Sequence, residues 1–164
     1  MCLPMSCMHC GKPPCLDVCP TGATYRRSDG IVDIKYEICV GCGYCILACP
    51  YLARTIVFHN GDDFETDVTY RESGKPSPSI SFTGVCSKCD FCLPRVDAGL
   101  AKGLEPGLDL EASPMCVVSC TAGALHFGDL DDPDSMVSQM LRENKTACLQ
   151  EDLGTYPSVY YILD

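Results

Sequence analysis

The chain has 164 residues, 15 of them cysteine, and a formal net charge of −10 at pH 7. It has no run of about 18 apolar residues, which excludes a membrane-spanning helix, and no basic patch, which excludes nucleic acid as a partner. The length fits one domain or two fused small modules, and an acidic surface suits a protein partner of complementary charge.

Residues 1–22 carry the first cysteine run: Cys7, Cys10, Cys15 and Cys19, closed by Pro20, in the pattern C-x2-C-x4-C-x3-C-P. A hairpin is predicted from Ala23 to Asp33, with its turn at Ser28-Asp29-Gly30 and a strand-like Ile31-Val32-Asp33-Ile34. The second run follows: Cys39, Cys42, Cys45 and Cys49, closed by Pro50, in the pattern C-x2-C-x2-C-x3-C-P. A short helix is expected around Tyr44 to Ala48, then a returning strand from Arg54 to Phe58.

The second run has the spacing of the bacterial two-cluster ferredoxins. A [4Fe–4S] cube needs four thiolates at tetrahedrally disposed corners. Three closely spaced cysteines on a tight loop supply three corners. The fourth, displaced by a helical turn and a proline, points at the cube of the other run. This predicts Cys7, Cys10 and Cys15 with Cys49 around the first cluster, and Cys39, Cys42 and Cys45 with Cys19 around the second. Electron transfer is the chemistry implied. A disulfide framework suits a short secreted chain, but the cysteine count is odd and no leader is read at the start. Structural zinc uses separated C-x2-C knuckles, not four-cysteine runs closed by Cys-Pro. Such a module has a small organic core, so the apo chain is expected to be largely unfolded.

From His59 to Ser81 the chain is polar, and Gly74-Lys-Pro-Ser-Pro78 signals a turn or linker. A third group then begins with Cys86, Cys89 and Cys92, followed after 23 intervening residues by Cys116 and Cys120. Five cysteines in this spacing imply a third cluster held by four of them. The interval from Val96 to Pro114 reads as an inserted loop. Ala122-Gly-Ala-Leu-His-Phe127 echoes Thr21-Gly-Ala-Thr-Tyr25, so the second half reads as a degenerate copy of the first. The fold class expected is α+β: a two-cluster ferredoxin-like module (1–58), a connecting segment (59–81) and a degenerate ferredoxin-like half (82–164). Asp132-Pro133 is expected to open a helix with Asp132 as N-cap. Met136, Val137, Met140 and Leu141 fall on one face of that helix and read as core. Val159-Tyr160-Tyr161-Ile162 reads as a terminal strand or a docking tail.

Several quoted stretches resemble the iron–sulfur subunits of bacterial molybdenum and tungsten oxidoreductases, of the dimethyl sulfoxide, polysulfide and nitrite reductase type. They are Leu3-Pro4-x-x-Cys7-Met8-His9-Cys10, Cys19-Pro-Thr-Gly-Ala-Thr-Tyr25, Asp29-Gly-Ile-Val32 and Cys42-Gly-Tyr-Cys45. Lys88-Cys-Asp-Phe-Cys92 with Arg95, Phe127-Gly-Asp-Leu-Asp-Asp-Pro133 and Leu153-Gly-Thr-x-Pro-Ser-Val-Tyr160 extend the likeness along nearly the whole chain. The family pattern has four cysteine groups and four clusters. Only six residues precede Cys7, so the first group is expected to be missing and the fourth cluster with it. The last family group matches Cys89, Cys92, Cys116 and Cys120. The resemblance therefore leaves the third cluster to Cys86, Cys89, Cys92 and Cys116, with Cys120 as the competing ligand, for three [4Fe–4S] clusters in all.

The resemblance implies a large molybdo- or tungstopterin catalytic partner, with a further electron-accepting subunit or a soluble ferredoxin as second carrier. The chain itself has no phosphate loop, no dinucleotide fingerprint and no radical-enzyme motif, so it is not expected to be an enzyme alone. A free-standing polyferredoxin is the rival reading, and a module with purely structural clusters is the other. A reducing, anaerobic cytoplasm is the expected location. Cys2 and Cys148 fit no group. His9 and His126 lie near cysteine groups, but each cube already has four thiols, so neither is read as a ligand. Tyr25, Tyr36 and Tyr44 are expected to shield clusters by packing. Gly11, Gly41 and Gly43 would let amides approach sulfur or serve tight turns. Lys88 and Arg95 read as solvated cations, or as charges that raise a nearby potential.

Overall fold

The computed structural model describes residues 3–58 and 83–163. Cys2 and the connecting segment 59–81 lie outside the described residues. The chain forms two compact units, Met1–Cys7 with Pro13–Lys88, and Met8–Lys12 with Cys89–Asp164. It is a small mixed helix and strand protein whose sheets have two short antiparallel strands each. Among the described residues no helix is long and apolar enough to cross a membrane.

The first unit runs α1 (Pro14–Asp17), β1 (Thr24–Arg26), β2 (Val32–Ile34), α2 (Tyr44–Leu47), β3 (Thr55–Ile56) and β4 (Cys86–Ser87). The predicted hairpin is present, with Thr24 opposite Ile34 and Arg26 opposite Val32. Its turn is built by Asp29, whose carboxylate accepts from the Ile31 amide at 3.2 Å and pairs with Arg27 at 2.9 Å. Gly30 supplies the left-handed residue the turn requires, at φ +87°. β1 and β2 alternate so that Thr24, Val32 and Ile34 turn inward.

The returning strand is shorter than 54–58, with only Thr55 and Ile56 pairing, opposite Ser87 and Cys86. Spacing groups Cys86 with the second half, yet β4 places it in the first unit. Its thiol joins the buried cluster of Cys15, Ala23, Val32, Ile34 and Cys45, with Tyr36, Ile46 and Ile56 packed against it. Half of the fully buried members are thiols, so the organic core is small. The second ligand loop closes tightly on this strand pair. A Cβ on Gly41 (φ +62°) would sit 1.8 Å from the Gly84 carbonyl oxygen, so only glycine fits there.

The second unit runs α3 (Leu93–Leu100), α4 (Met115–Val118), α5 (Met136–Glu143), β5 (Thr146–Ala147) and β6 (Tyr161–Ile162). The interval 96–114 is not a loop. Its first residues complete α3, and Leu110–Ala112 forms a 3-10 turn packed on that helix. Gly99 permits the contact, since a Cβ there would lie 2.3 Å from the Ala112 Cβ. The glycines and leucines that suggest a loop are the packing residues of this helix–turn pair.

α5 begins later than Asp132-Pro133 suggests. Ser135 is its N-cap, accepting from the Ser138 amide at 3.2 Å, while Asp132 caps a preceding turn through the Asp134 amide at 2.9 Å. The predicted stripe Met136, Val137, Met140 and Leu141 is half-buried, not fully core. The terminal strand is present as β6, paired with β5. The tail before it clasps residues 8–12. Gly11 and Lys12 donate amides to the Tyr156 and Thr155 carbonyls, and Ser158 donates to the Met8 and His9 carbonyls at 2.8 and 2.9 Å.

Candidate metal centres

One local device recurs three times. α1, α2 and α4 each carry the third cysteine of a group (Cys15, Cys45, Cys116), and the fourth lies one turn on (Cys19, Cys49, Cys120). In each, the amide of the fourth cysteine donates to the carbonyl three residues back: Leu16, Ile46 and Val117, at 3.1, 3.3 and 3.2 Å. The fourth cysteine's own carbonyl then accepts from residue 22, 52 or 123, which adopts a left-handed conformation at φ +66°, +52° and +61°. Glycine occupies this position at Gly22 and Gly123, and leucine at Leu52. Nothing lies within 4 Å of a Cβ built on Gly22 or Gly123, so only the backbone opposes a side chain there. Gly22→Ala and Gly123→Ala should each cost about 1 kcal/mol, read as a lowered denaturation midpoint of the iron-loaded protein, while Leu52→Gly should cost nothing comparable.

The turn also aims amides at sulfur. The Thr24 amide donates to Cys19 Sγ at 3.5 Å and the Ala124 amide to Cys120 Sγ at 3.3 Å. Desolvation pushes the Cys19 thiol up. The Thr24, Thr21 and Ala23 amides and the Thr21 hydroxyl outweigh it and bring it down to about 7. Cys120 is lowered by the Ala124 amide first, with those of Leu125, Ala122 and Gly123 adding to it. Both shifts run toward thiolate, the form that binds iron.

Cys19, Cys39, Cys42 and Cys45 line one cavity of the first unit, together with Cys86, Ile34 and Val40. Four of these are the thiols predicted for the second cluster, drawn from two separate runs. Among the described residues no three donors converge where a single ion could be held; the four thiols line one cavity. That arrangement, with amides directed at Cys19, fits a polynuclear thiolate-bound group. Cys86 is a fifth sulfur in the wall. Desolvation, a hydrogen bond with Cys45, and the Cys45 and Cys39 charges push it up to about 12, against a lowering contribution from the Gly43 amide.

Cys15 packs in the same core cluster as Cys45, and Cys7 and Cys49 are close enough to act on it by charge; Cys7, Cys15 and Cys49 are three of the thiols predicted for the first cluster. Desolvation raises Cys15, the Cys7 and Cys49 charges add to the rise, and Arg54 opposes it. Arg54 is only 6% exposed. Its guanidinium donates to Cys15 Sγ at 3.1 Å and to Thr24 Oγ1 at 3.2 Å, and the Cys45 thiol is close enough to act on its charge. Cys10, the remaining member of the first run, belongs to the 8–12 stretch of the second unit.

In the second unit Cys92 caps α3 in a left-handed conformation, its amide donating to Asp90 Oδ1 at 2.8 Å. Cys89, Cys116 and Cys120 are the other predicted ligands there. Cys148 is half-buried and away from these groups in sequence, and its amide donates to Glu151.

Other candidates have structural duties. His9 is 1% exposed and stacks on Phe91 with ring centroids 3.8 Å apart, and Phe91 meets Phe127 edge-on at 5.3 Å. His126 is exposed. Lys88 donates to the Val32 carbonyl, and Arg95 to the Ser113 and Leu110 carbonyls; both are tethers, not solvated cations. Tyr44 is 58% exposed and does not shield, whereas Tyr51, which no motif singles out, is buried. Arg54 also escapes the motifs. An arginine shortly after Cys49-Pro50, at the start of a strand that packs on the ligand loops, is the one signal the sequence offers for it.

Residues 1–64 match the family described as a 4Fe-4S dicluster domain. Over 97% of its length the chain is 41% identical to the Hdr-like menaquinol oxidoreductase iron-sulfur subunit 1 of Archaeoglobus fulgidus. Over the same share it is 45% identical to a protein of Halobacterium salinarum described as a dimethyl sulfoxide reductase iron-sulfur subunit. Over 96% of its length it is 39% identical to the protein NrfC of Escherichia coli. These alignments cover 56%, 54% and 56% of the relatives, so the chain spans about half the length of the proteins it matches.

Proposed function

We propose that this chain is an oxidoreductase iron–sulfur subunit, and that it relays single electrons between a molybdo- or tungstopterin catalytic subunit and a second carrier. Bound [4Fe–4S] clusters supply the one-electron redox chemistry. The chain's own residues ligate them, keep water off them and aim amides at their sulfur ligands, which tunes potential. The observation that carries this reading is the cavity where Cys19 of one run meets Cys39, Cys42 and Cys45 of the other. Ligands crossing between runs are the arrangement of the two-cluster ferredoxins. The first cluster then draws on Cys7, Cys15 and Cys49, with Cys10 assigned by the motif.

The third cluster is assigned to the second half, from Cys89, Cys92, Cys116 and Cys120. Cys86 stays out of that set because its thiol lies against Cys45 and Cys39 in the wall of the second site. A docked subunit is favoured over a freely diffusing carrier. Val40, Tyr44, Leu47 and Leu52, all next to the second ligand run, are 58–86% exposed, and apolar side chains left in water suit a partner surface.

Iron and acid-labile sulfide should number about twelve each per chain, the content of three cubes, in anaerobically purified protein. Reduction should give paramagnetic signals from interacting clusters, which a one-electron acceptor then discharges. About eight of each would remove the third cluster and the relay through the second half.

A further inference from the structure

We infer that Arg54 is a charge shared by the first two clusters, a buried guanidinium whose place on Cys15 and beside Cys45 holds both potentials up. The inference rests on the ligand sets proposed above, in which Cys15 serves one cluster and Cys45 the other.

A guanidinium is planar, always charged, and presents donors in a fixed fork. Here one terminal nitrogen reaches Cys15 Sγ at 3.1 Å and the other is anchored on Thr24 Oγ1 at 3.2 Å. The Cys45 thiol, packed in the same core cluster as Cys15, is close enough to act on the guanidinium charge. Thr24 in turn donates its amide to Cys19, a ligand of the second site. Arg54 and Thr24 thus join thiols of two helices, α1 and α2, and of both predicted clusters. Among the described residues the side-chain acceptors of Arg54 are the Cys15 sulfur and the Thr24 hydroxyl, not a carboxylate. A buried cation with thiolates for partners is what a pair of anionic clusters can stabilise and an apolar core cannot.

The consequence is electrostatic. One-electron reduction adds a negative charge to a cluster and takes no atom from the protein. A fixed neighbouring cation stabilises the reduced form, and burial strengthens the effect because little solvent screens it. One guanidinium placed against ligands of both clusters raises both potentials together, so neither becomes a trap for the electron. Lys88 and Arg95 are seen on backbone carbonyls, whereas Arg54 is seen on a ligand sulfur. Arg54 touches ligand sulfur and not the reacting partner, so it is a positioning residue.

The test is redox titration of the iron-loaded chain, followed by paramagnetic resonance, in Arg54→Gln and Arg54→Lys. Arg54→Gln should shift the reduction equilibrium of both clusters at least tenfold toward the oxidised form, about 59 mV for a one-electron couple. Arg54→Lys, which keeps the charge, should stay within threefold at one cluster or both. Full iron content with neither cluster shifted in Arg54→Gln, or with only one shifted, overturns the inference. Wild-type protein labelled with 15N-arginine gives a readout that needs no variant to fold. Double resonance on the reduced clusters should show a nitrogen coupling from the label, and its absence also overturns the inference. The ligand sets are tested separately by Cys15→Ser and Cys45→Ser. If both perturb the same cluster signal, the ligand reading fails, whatever Arg54 does.

Discussion

Cys45→Ala is expected to strip one whole cluster from the chain, about four irons and four sulfides, while Cys86→Ala keeps the full count. The two sulfurs are neighbours in the same core, so size and burial do not separate them. Their backbones do. Cys45 sits on α2, directly after the loop carrying Cys39 and Cys42, where a helical turn advances it toward the space those two and Cys19 enclose. Cys86 is on β4, held in register by Ile56, and approaches a site that already has four sulfurs. Removing Cys45 also deprives Arg54 of a partner, so that loss extends to the charge balance of the first site. Removing Cys86 takes one atom from a packed wall, about 1 kcal/mol of stability on the scale of small core truncations, with the clusters in place. Iron and sulfide analysis with reduced-state resonance spectra separates the cases. Loss of four irons from Cys86→Ala, with Cys120→Ala retaining them, would return Cys86 to the third cluster.

What the sequence exposes and what it hides divide along a physical line. Cysteine runs are local, and the C-x3-C spacing is one turn of helix, so α1, α2 and α4 are foreseeable around the first two runs and implicit in the third. The hairpin is legible because Asp29-Gly30 specifies a tight turn between Thr24-Tyr25-Arg26 and the β-branched Ile31-Val32-Asp33-Ile34. The echo of Thr21-Gly-Ala in Ala122-Gly-Ala is a shared backbone device, with Gly22 and Gly123 in the same left-handed conformation. Spacing joins position 86 to Cys89 and Cys92, whereas strand pairing with Ile56, thirty residues away, puts its thiol in the wall of the second-run cavity. The stretch 96–114 misleads because Gly99 reads as a loop former until Ala112 is placed against it. Arg54 carries no local signal of its partners, since Cys15 lies 39 residues away. The clasp of residues 8–12 by the 155–158 tail is equally non-local, joining stretches near opposite ends of the sequence.

Iron removal by chelation under mild oxidation should unfold the first unit outright, with loss of a cooperative thermal transition and collapse of the circular dichroism. A domain of this size has only about 5–15 kcal/mol of net stability, and its fully buried members here are few, half of them thiols that face ligand sites. The strands supply little, since each sheet is two strands of two or three residues, too short to stand alone. Without clusters the core loses its packing centre and Arg54 loses the anionic partners that justify its burial. A buried charge stripped of its partner costs several kcal/mol, comparable to the whole stability available. Arg54→Met should therefore act in opposite senses in the two forms: destabilising the loaded protein by removing a charge-assisted contact, and easing collapse of the apo chain by removing an unpaired cation. Chelated protein that keeps a sharp transition and native-like near-ultraviolet dichroism would show that the organic core suffices, and the clusters would then be passengers of the fold, not its centre.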